Sequence, residues 1–254
     1  MTNHFKKIAV CAIALASMVA NAAPADSGVR NIVLVHGALV DGSGWRPVYE
    51  TLKRDGYNVR IVQQPLTSLQ DDVAATRRVL EQLDGPIVLV GQSYGGAVAT
   101  VAGTDPKVKA LVYVAAMVPD KDESCASLNA TMPPASAADL KATADQTYYF
   151  FPPARFREWV AADVDASRTA FMADSQMYMA GAAFMAKLPA AAWHDKPSYA
   201  ILSTEDKSIS PELQRFMYKR AGSMVTEAKA SHAVFLSQPA LVAKVIEDAA
   251  KSVN

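Results

Sequence analysis

The stretch Pro86-Ile87-Val88-Leu89-Val90-Gly91-Gln92-Ser93-Tyr94-Gly95-Gly96-Ala97-Val98-Ala99-Thr100-Val101-Ala102 decides the fold. Residues 86–90 are an unbroken apolar run of strand length, which suits a strand buried on both faces. Residues 97–102 are small, apolar and compatible with a helix. A strand, a tight turn with serine at its apex and a helix are the context of a nucleophile elbow. Such a turn holds Ser93 in a strained backbone conformation and pushes its hydroxyl beyond the sheet. Gly91 and Gly95 then follow from sterics, because strand and helix approach too closely for a Cβ. The helix that follows aims free N–H groups and a positive dipole end at charge developing beside Ser93.

Outward from this stretch the chain alternates strands and helices. Asn31-Ile32-Val33-Leu34-Val35 is a second buried-strand run, ending in His36-Gly37-Ala38. A helix is expected near Trp45–Asp55 with Gly56 as its stop, then a strand over Tyr57–Gln63 closed by Pro65. Leu69–Leu83 places Val73, Val79, Leu80 and Leu83 on one helical face, with Asp71 and Asp72 in the first turn. Val108–Val114 is the next strand. Beyond it come a strand at Ser198–Leu202, a helix at Pro211–Arg220, a strand at Met224–Ala228 and a closing helix at Pro239–Ala250, with Ser237 as its cap. Six strands alternating with helices predict an α/β, doubly wound, mostly parallel sheet, with ligands at the strand C-termini.

The rhythm breaks between Pro119 and Pro197. This stretch holds Tyr148, Tyr149, Phe150, Phe151, Phe156, Trp159, Phe171, Met172, Met177, Tyr178, Met179, Phe184 and Met185, punctuated by Pro133-Pro134 and Pro152-Pro153. It reads as several short helices inserted between two strands, a lid over residues 119–196 that folds across the C-terminal face of the sheet. Most of these side chains would form the insert's own core, and three or four would touch a ligand in an apolar, adaptable pocket. The core then comprises residues 23–118 and 197–254.

The first 22 residues stand apart. Lys6 and Lys7 precede the apolar run Ile8–Ala20, and Ala20-Asn21-Ala22 fits a small-x-small cleavage site. This is a Sec-type signal peptide, and the expected destination is the periplasm or the medium. Of the 25 basic residues, removing Lys6 and Lys7 leaves 23 against 25 acidic, a net charge of −2. That balance gives no pointer to nucleic acid or to anionic membranes. Cys125 alone remains of the two cysteines, so no intramolecular disulfide can form, and it is expected to be buried. Three scattered histidines and one cysteine give no metal-ligand spacing, and no dinucleotide fingerprint is present. No cofactor or metal is expected.

A serine nucleophile needs a base. His36 follows the first strand directly, and His194 precedes the strand that begins near Ser198, at the opposite edge of the sheet. His232 follows the last strand, at the edge where Ser93 emerges, and position selects it. The orienting carboxylate is expected to be Asp206, just after the Ser198–Leu202 strand, with Glu205 and Asp120 as rivals. The oxyanion donors are expected to be the backbone N–H groups of Ala38 and Tyr94, with Leu39 as a one-residue alternative to Ala38. His36 would then hold its loop through a side-chain hydrogen bond.

His36-Gly37-Ala38 with Asp41-Gly42-Ser43-Gly44-Trp45, the Gly91–Gly96 elbow, Thr204–Ile209, Pro211–Phe216 and Ala230-Ser231-His232 resemble the α/β-hydrolase superfamily. Within it they are similar to the branch of plant methylesterases, hydroxynitrile lyases and bacterial small-ester carboxylesterases. The likeness covers roughly residues 31–118 and 197–250. It implies a triad of Ser93, Asp206 and His232, in the chain order Ser…Asp…His. The plant lyases carry a lysine immediately after the catalytic histidine. Here that position is Ala233, which favours ester hydrolysis. The resemblance thus implies a serine carboxylesterase for small to medium apolar esters. Acyl transfer, lyase chemistry and a non-catalytic role in binding apolar ligands are the alternatives.

Overall fold

The computed structural model of the protein describes residues 29–253. The proposed signal peptide lies outside the described residues. In chain order the elements are β1 (Asn31–Val35), a 3₁₀ turn (Gly42–Trp45), α1 (Arg46–Arg54), β2 (Asn58–Val62), α2 (Leu69–Glu81), β3 (Ile87–Gln92), α3 (Gly95–Ala102) and β4 (Val108–Val114). Then come α4 (Cys125–Thr131), β5 (Lys141–Ala142), β6 (Tyr148–Phe150), α5 (Pro153–Val160), α6 (Ala166–Asp174), β7 (Met179–Ala180) and α7 (Gly181–Met185). The chain closes with β8 (Ser198–Ser203), α8 (Pro211–Arg220), β9 (Met224–Ala228), α9 (Val234–Ser237) and α10 (Pro239–Ser252).

Six strands form one sheet in the order β2-β1-β3-β4-β8-β9, and every neighbouring pair is parallel. The central strands β3, β4 and β8 are buried almost without interruption, as apolar runs covered on both faces require. Helices α1 and α10 pack together on one face, and α2 and α3 on the other. The strand order reverses between β1 and β3, whose register pairs Val35 with Gly91. The crevice beyond the C-termini of these two strands is the switch point where α/β sheets bind ligands. It receives the His36 loop from β1 and Ser93 from β3.

Two elements depart from the sequence reading. The segment between β4 and β8 contains, besides its helices, a three-stranded antiparallel sheet in the order β5-β6-β7. Its strands are two or three residues long, too short to leave a periodic signature. Ser237 is the last residue of α9 and makes no capping bond to α10, whose N-cap position is Gln238. Cys125 is buried. Among the described residues no helix is long and apolar enough to cross a membrane.

Candidate active site

Ser93 sits between β3 and α3 with φ +53°, in the left-handed region that a non-glycine residue occupies at a cost in strain. The turn is held on both sides. Its N–H donates to Val114 O at 3.2 Å, and its carbonyl accepts from Gly96 N and Met117 N, each at 3.0 Å. A Cβ on Gly91 would collide with the Gly95 carbonyl, which is the strand–helix approach the motif requires. A Cβ on Gly95 would instead strike the His36 carbonyl, so that glycine serves the contact with the β1 loop.

His232 follows β9 and turns its ring toward Ser93. The Ser93 hydroxyl lies 2.8 Å from His232 Nε2, and His232 Nδ1 lies 2.7 Å from Asp206 Oδ2. A carboxylate only accepts, so Nδ1 carries the proton and Nε2 presents its lone pair to Ser93. Asp206 is buried, and four donors converge on it. Oδ2 also accepts from Gln214 Nε2 at 2.8 Å, while Oδ1 accepts from Ser208 N at 2.8 Å and Ile209 N at 3.0 Å. Gln214 is itself fixed by Ser203 N and Ile209 O. The rival carboxylates lie elsewhere. Glu205 is exposed beside Lys229, and Asp120 pairs with the exposed His194 at 2.9 Å.

On the other side of Ser93 is the loop after β1. His36 Nδ1–H donates to Gly37 O at 2.8 Å, and its Nε2 accepts from Gln64 N at 3.0 Å. Burial is the main influence on this imidazole and pushes its pKa below the usual 6.5, against the opposing pull of the Gly37 carbonyl and Asp41. Gly37 has no room for a side chain, because a Cβ would meet the Gln92 amide and Ser93 Cβ. Leu39 takes φ +62°. The backbone N–H groups of Ala38, Leu39 and Tyr94 make no hydrogen bond among the described residues. Behind the elbow, the Tyr94 hydroxyl donates to Asp72 Oδ2 at 2.8 Å, and Asp72 Oδ1 accepts from Leu66 N at 2.8 Å. Both Tyr94 and Asp72 are buried.

Ser93 and His232 open into a cavity of about 460 Å³. Its wall includes Ala38 and Leu39 from the β1 loop, and no Asp, Glu, Lys or Arg among the described residues. Five of the aromatic and methionine side chains singled out between β4 and β8 reach it: Tyr149, Phe151, Met179, Phe184 and Met185. Phe156 and Trp159 are buried instead, while Phe171 is 68% exposed. The same segment is fastened to the loops that carry Asp206 and His232. The Ser208 hydroxyl donates to Trp159 O at 2.8 Å, and Ser231 donates to Asp163 through both its hydroxyl and its N–H.

Several residues of this arrangement left no mark in the sequence reading. Gln92, Asp163 and Gln214 act only through tertiary contacts, and in the sequence Asp72 is no more than a first-turn acid of α2. For Gln214 a weak signal existed, since it lies eight residues after Asp206 in a helix started by Ser210-Pro211. No group of three or more His, Cys, Asp or Glu side chains stands together for a metal ion among the described residues.

Residues 32–245 match the profile of the alpha/beta hydrolase family. A carbendazim hydrolyzing esterase from Nocardioides sp. (strain SG-4G) is 36% identical over 128 residues, which cover 44% of this chain and 52% of that protein. The chain thus spans about half the length of the curated relative it matches. Among solved structures, a pyrethroid hydrolase from Sphingobium faniae JZ-2 superposes with a TM-score of 0.76 at 21% identity, covering 88% of this chain and 98% of that one. Polyneuridine aldehyde esterase gives 0.74 at 20% identity, covering 87% and 98%. At these identities the likeness is one of fold.

Proposed function

The chain belongs to the alpha/beta hydrolase family, and on that premise we propose that it is a serine carboxylesterase acting on uncharged, small to medium apolar esters. The observation that carries this reading is the line Ser93–His232–Asp206, joined at 2.8 and 2.7 Å, at the wall of a cavity that has no carboxylate, ammonium or guanidinium side chain among the described residues. The esterase likeness of the Nocardioides relative supports the reaction class.

In this mechanism Ser93 Oγ attacks the ester carbonyl carbon while His232 Nε2 takes the hydroxyl proton. The tetrahedral oxyanion is received by the N–H groups of Ala38 and Tyr94. Losing one such donor costs on the order of 3 kcal/mol in the transition state. Asp206 stabilises the imidazolium and keeps its ring oriented without taking the proton. The proton then passes from Nε2 to the leaving alkoxide, and an acyl-enzyme remains. Water then attacks the acyl carbon while His232 Nε2 takes its proton, and as the bond from that carbon to Ser93 Oγ breaks the proton returns to Oγ and the acid is released. The segment 119–196 serves as the lid that supplies the apolar wall. Export rests on the Lys6–Ala22 signature, and N-terminal sequencing of the processed protein would test it.

The test is hydrolysis of p-nitrophenyl esters from acetate to decanoate by the wild type and Ser93→Ala. The variant is expected to lose activity by about a thousandfold or more. Near-normal turnover by Ser93→Ala would overturn the reading.

A further inference from the structure

Gln92 ends β3 one residue before Ser93, and the mechanism above makes no use of its side chain. The amide nitrogen lies 3.3 Å from His232 Nε2, the same atom that receives the Ser93 hydroxyl at 2.8 Å. The amide oxygen is buried with no hydrogen-bond partner among the described residues. It rests against Gly37, where a Cβ would collide with it. Gln92 is 2% exposed. A buried acceptor without a partner is unfavourable and calls for an explanation. Here it is the far end of an amide whose near end touches a reacting atom.

We propose that Gln92 is a second polar partner of His232 Nε2, and that its amide turns end for end as the imidazole gains its proton. In the neutral ring Nε2 is an acceptor, and the Gln92 N–H donates to it beside the Ser93 hydroxyl. When the Ser93 Oγ–carbon bond forms, the hydroxyl proton moves to Nε2, and two donors face each other. A half-turn of the amide exchanges oxygen for NH2 at nearly equal volume and sets the unpaired Oε1 against Nε2–H. The turn moves the NH2 into the partnerless place of the oxygen, so one unpaired end replaces the other, and no further hydrogen bond is broken among the described residues. The new bond is charge-assisted and roughly twice as strong as the neutral contact it replaces, so the exchange favours the imidazolium. As the carbon–oxygen bond to the leaving group breaks, the proton passes from Nε2 to the alkoxide and the amide turns back.

The groups facing His232 are Asp206 at Nδ1, Ser93 and Gln92 at Nε2, and Asp163 acting through Ser231. Substitution at position 92 leaves the other three in place. The rate consequence rests on the proposed esterase mechanism, whereas the effect on the ring's acidity does not.

The experiment is an NMR titration of the His232 ring in wild type, Gln92→Leu and Gln92→Glu, paired with kcat and KM on p-nitrophenyl butyrate. Gln92→Leu removes the acceptor that stabilises the imidazolium, so the ring pKa falls, and kcat drops by about tenfold with KM little changed. Gln92→Glu presents only acceptors, so the ring pKa rises. An unmoved or raised pKa in Gln92→Leu overturns the proposal and makes the amide a bystander or a fixed donor. Gln92→Met, of similar length and without an amide, takes the place of Gln92→Leu should circular dichroism show that variant unfolded. The titration needs no turnover. A fully active Ser93→Ala would therefore overturn the esterase reading while the shifted ring still upheld this one.

Discussion

Ser231, the residue before His232, donates its backbone N–H at 3.1 Å and its hydroxyl to the carboxylate of Asp163, which lies between β4 and β8. His232 is thus held from two sides, by Asp206 on its ring and by Asp163 on its backbone neighbour. Ser231 is buried and Asp163 is exposed, so water is at hand for the carboxylate but not for the serine. Burial raises the Asp163 pKa, but hydrogen bonds, chiefly those from Ser231, hold the carboxyl below its usual range. The clamp therefore persists into mild acid.

Asp163→Ala is expected to lower kcat on p-nitrophenyl butyrate by about tenfold while KM changes little, because a misplaced base slows chemistry rather than binding. Asp163→Asn keeps an acceptor and should fall between the two. A kcat for Asp163→Ala within twofold of wild type would show that Ser231 does not need this partner.

Tyr94→Phe probes the buried contact behind the elbow. It leaves the Asp72 carboxylate with Leu66 N as its one remaining donor among the described residues, and should destabilise the fold by about 2 kcal/mol in urea denaturation at pH 7. Burial already raises the Asp72 pKa in the folded protein, against the opposing bonds from Tyr94 and Leu66. A group with a raised folded pKa contributes fully below its unfolded value and less as pH rises through the folded one. Removing the Tyr94 bond raises that pKa further. The loss in Tyr94→Phe should therefore be smaller near pH 4 than at pH 7, and an equal loss at both would contradict this account.

The sheet and elbow were legible in the sequence because their signals are local. Strand residues 87–90 are apolar throughout and 108–114 are apolar but for the exposed Lys109, and the glycines at 91 and 95 answer collisions between neighbouring chain segments. The order Ser93, Asp206, His232 was legible because each residue follows a recognisable strand. Asp72 was not, because a first-turn acid on a helix is ordinarily explained by the dipole, and only the fold brings Tyr94 to it. Asp163 and Gln92 were hidden for the same reason: each acts on a residue 68 or 140 positions away. The small β5-β6-β7 sheet was invisible because strands of two or three residues have no period to read.

His36 supplies a pH test of the β1 loop. Its pKa is depressed in the folded protein, while the unfolded chain binds a proton near 6.5. Stability from this group is present above 6.5 and is lost as pH falls from 6.5 through the folded value. Protonation would also remove the Nε2 acceptor that Gln64 N uses. Wild type should lose unfolding free energy between pH 7.5 and 5 by more than His36→Gln does. Parallel curves for the two proteins would exclude His36 as the source.

The length of the cavity is open to direct test at Met179. This residue is buried on β7, lines the cavity and packs among apolar neighbours. Met179→Trp adds volume to a wall whose flexible thioether would otherwise adapt to the substrate. Met179 lines the cavity from β7, while Ser93 and His232 enter it from the main sheet, so the added rings are expected to compete with a long acyl chain more than with acetate. Each methylene excluded from an apolar pocket is worth about 1–3 kcal/mol of discrimination. On p-nitrophenyl esters, kcat/KM for decanoate is expected to fall by at least about tenfold while that for acetate stays within about threefold. A uniform loss across the series would mean that the substitution disturbs Ser93 or the fold. An unchanged profile would mean that the acyl chain lies along a different wall.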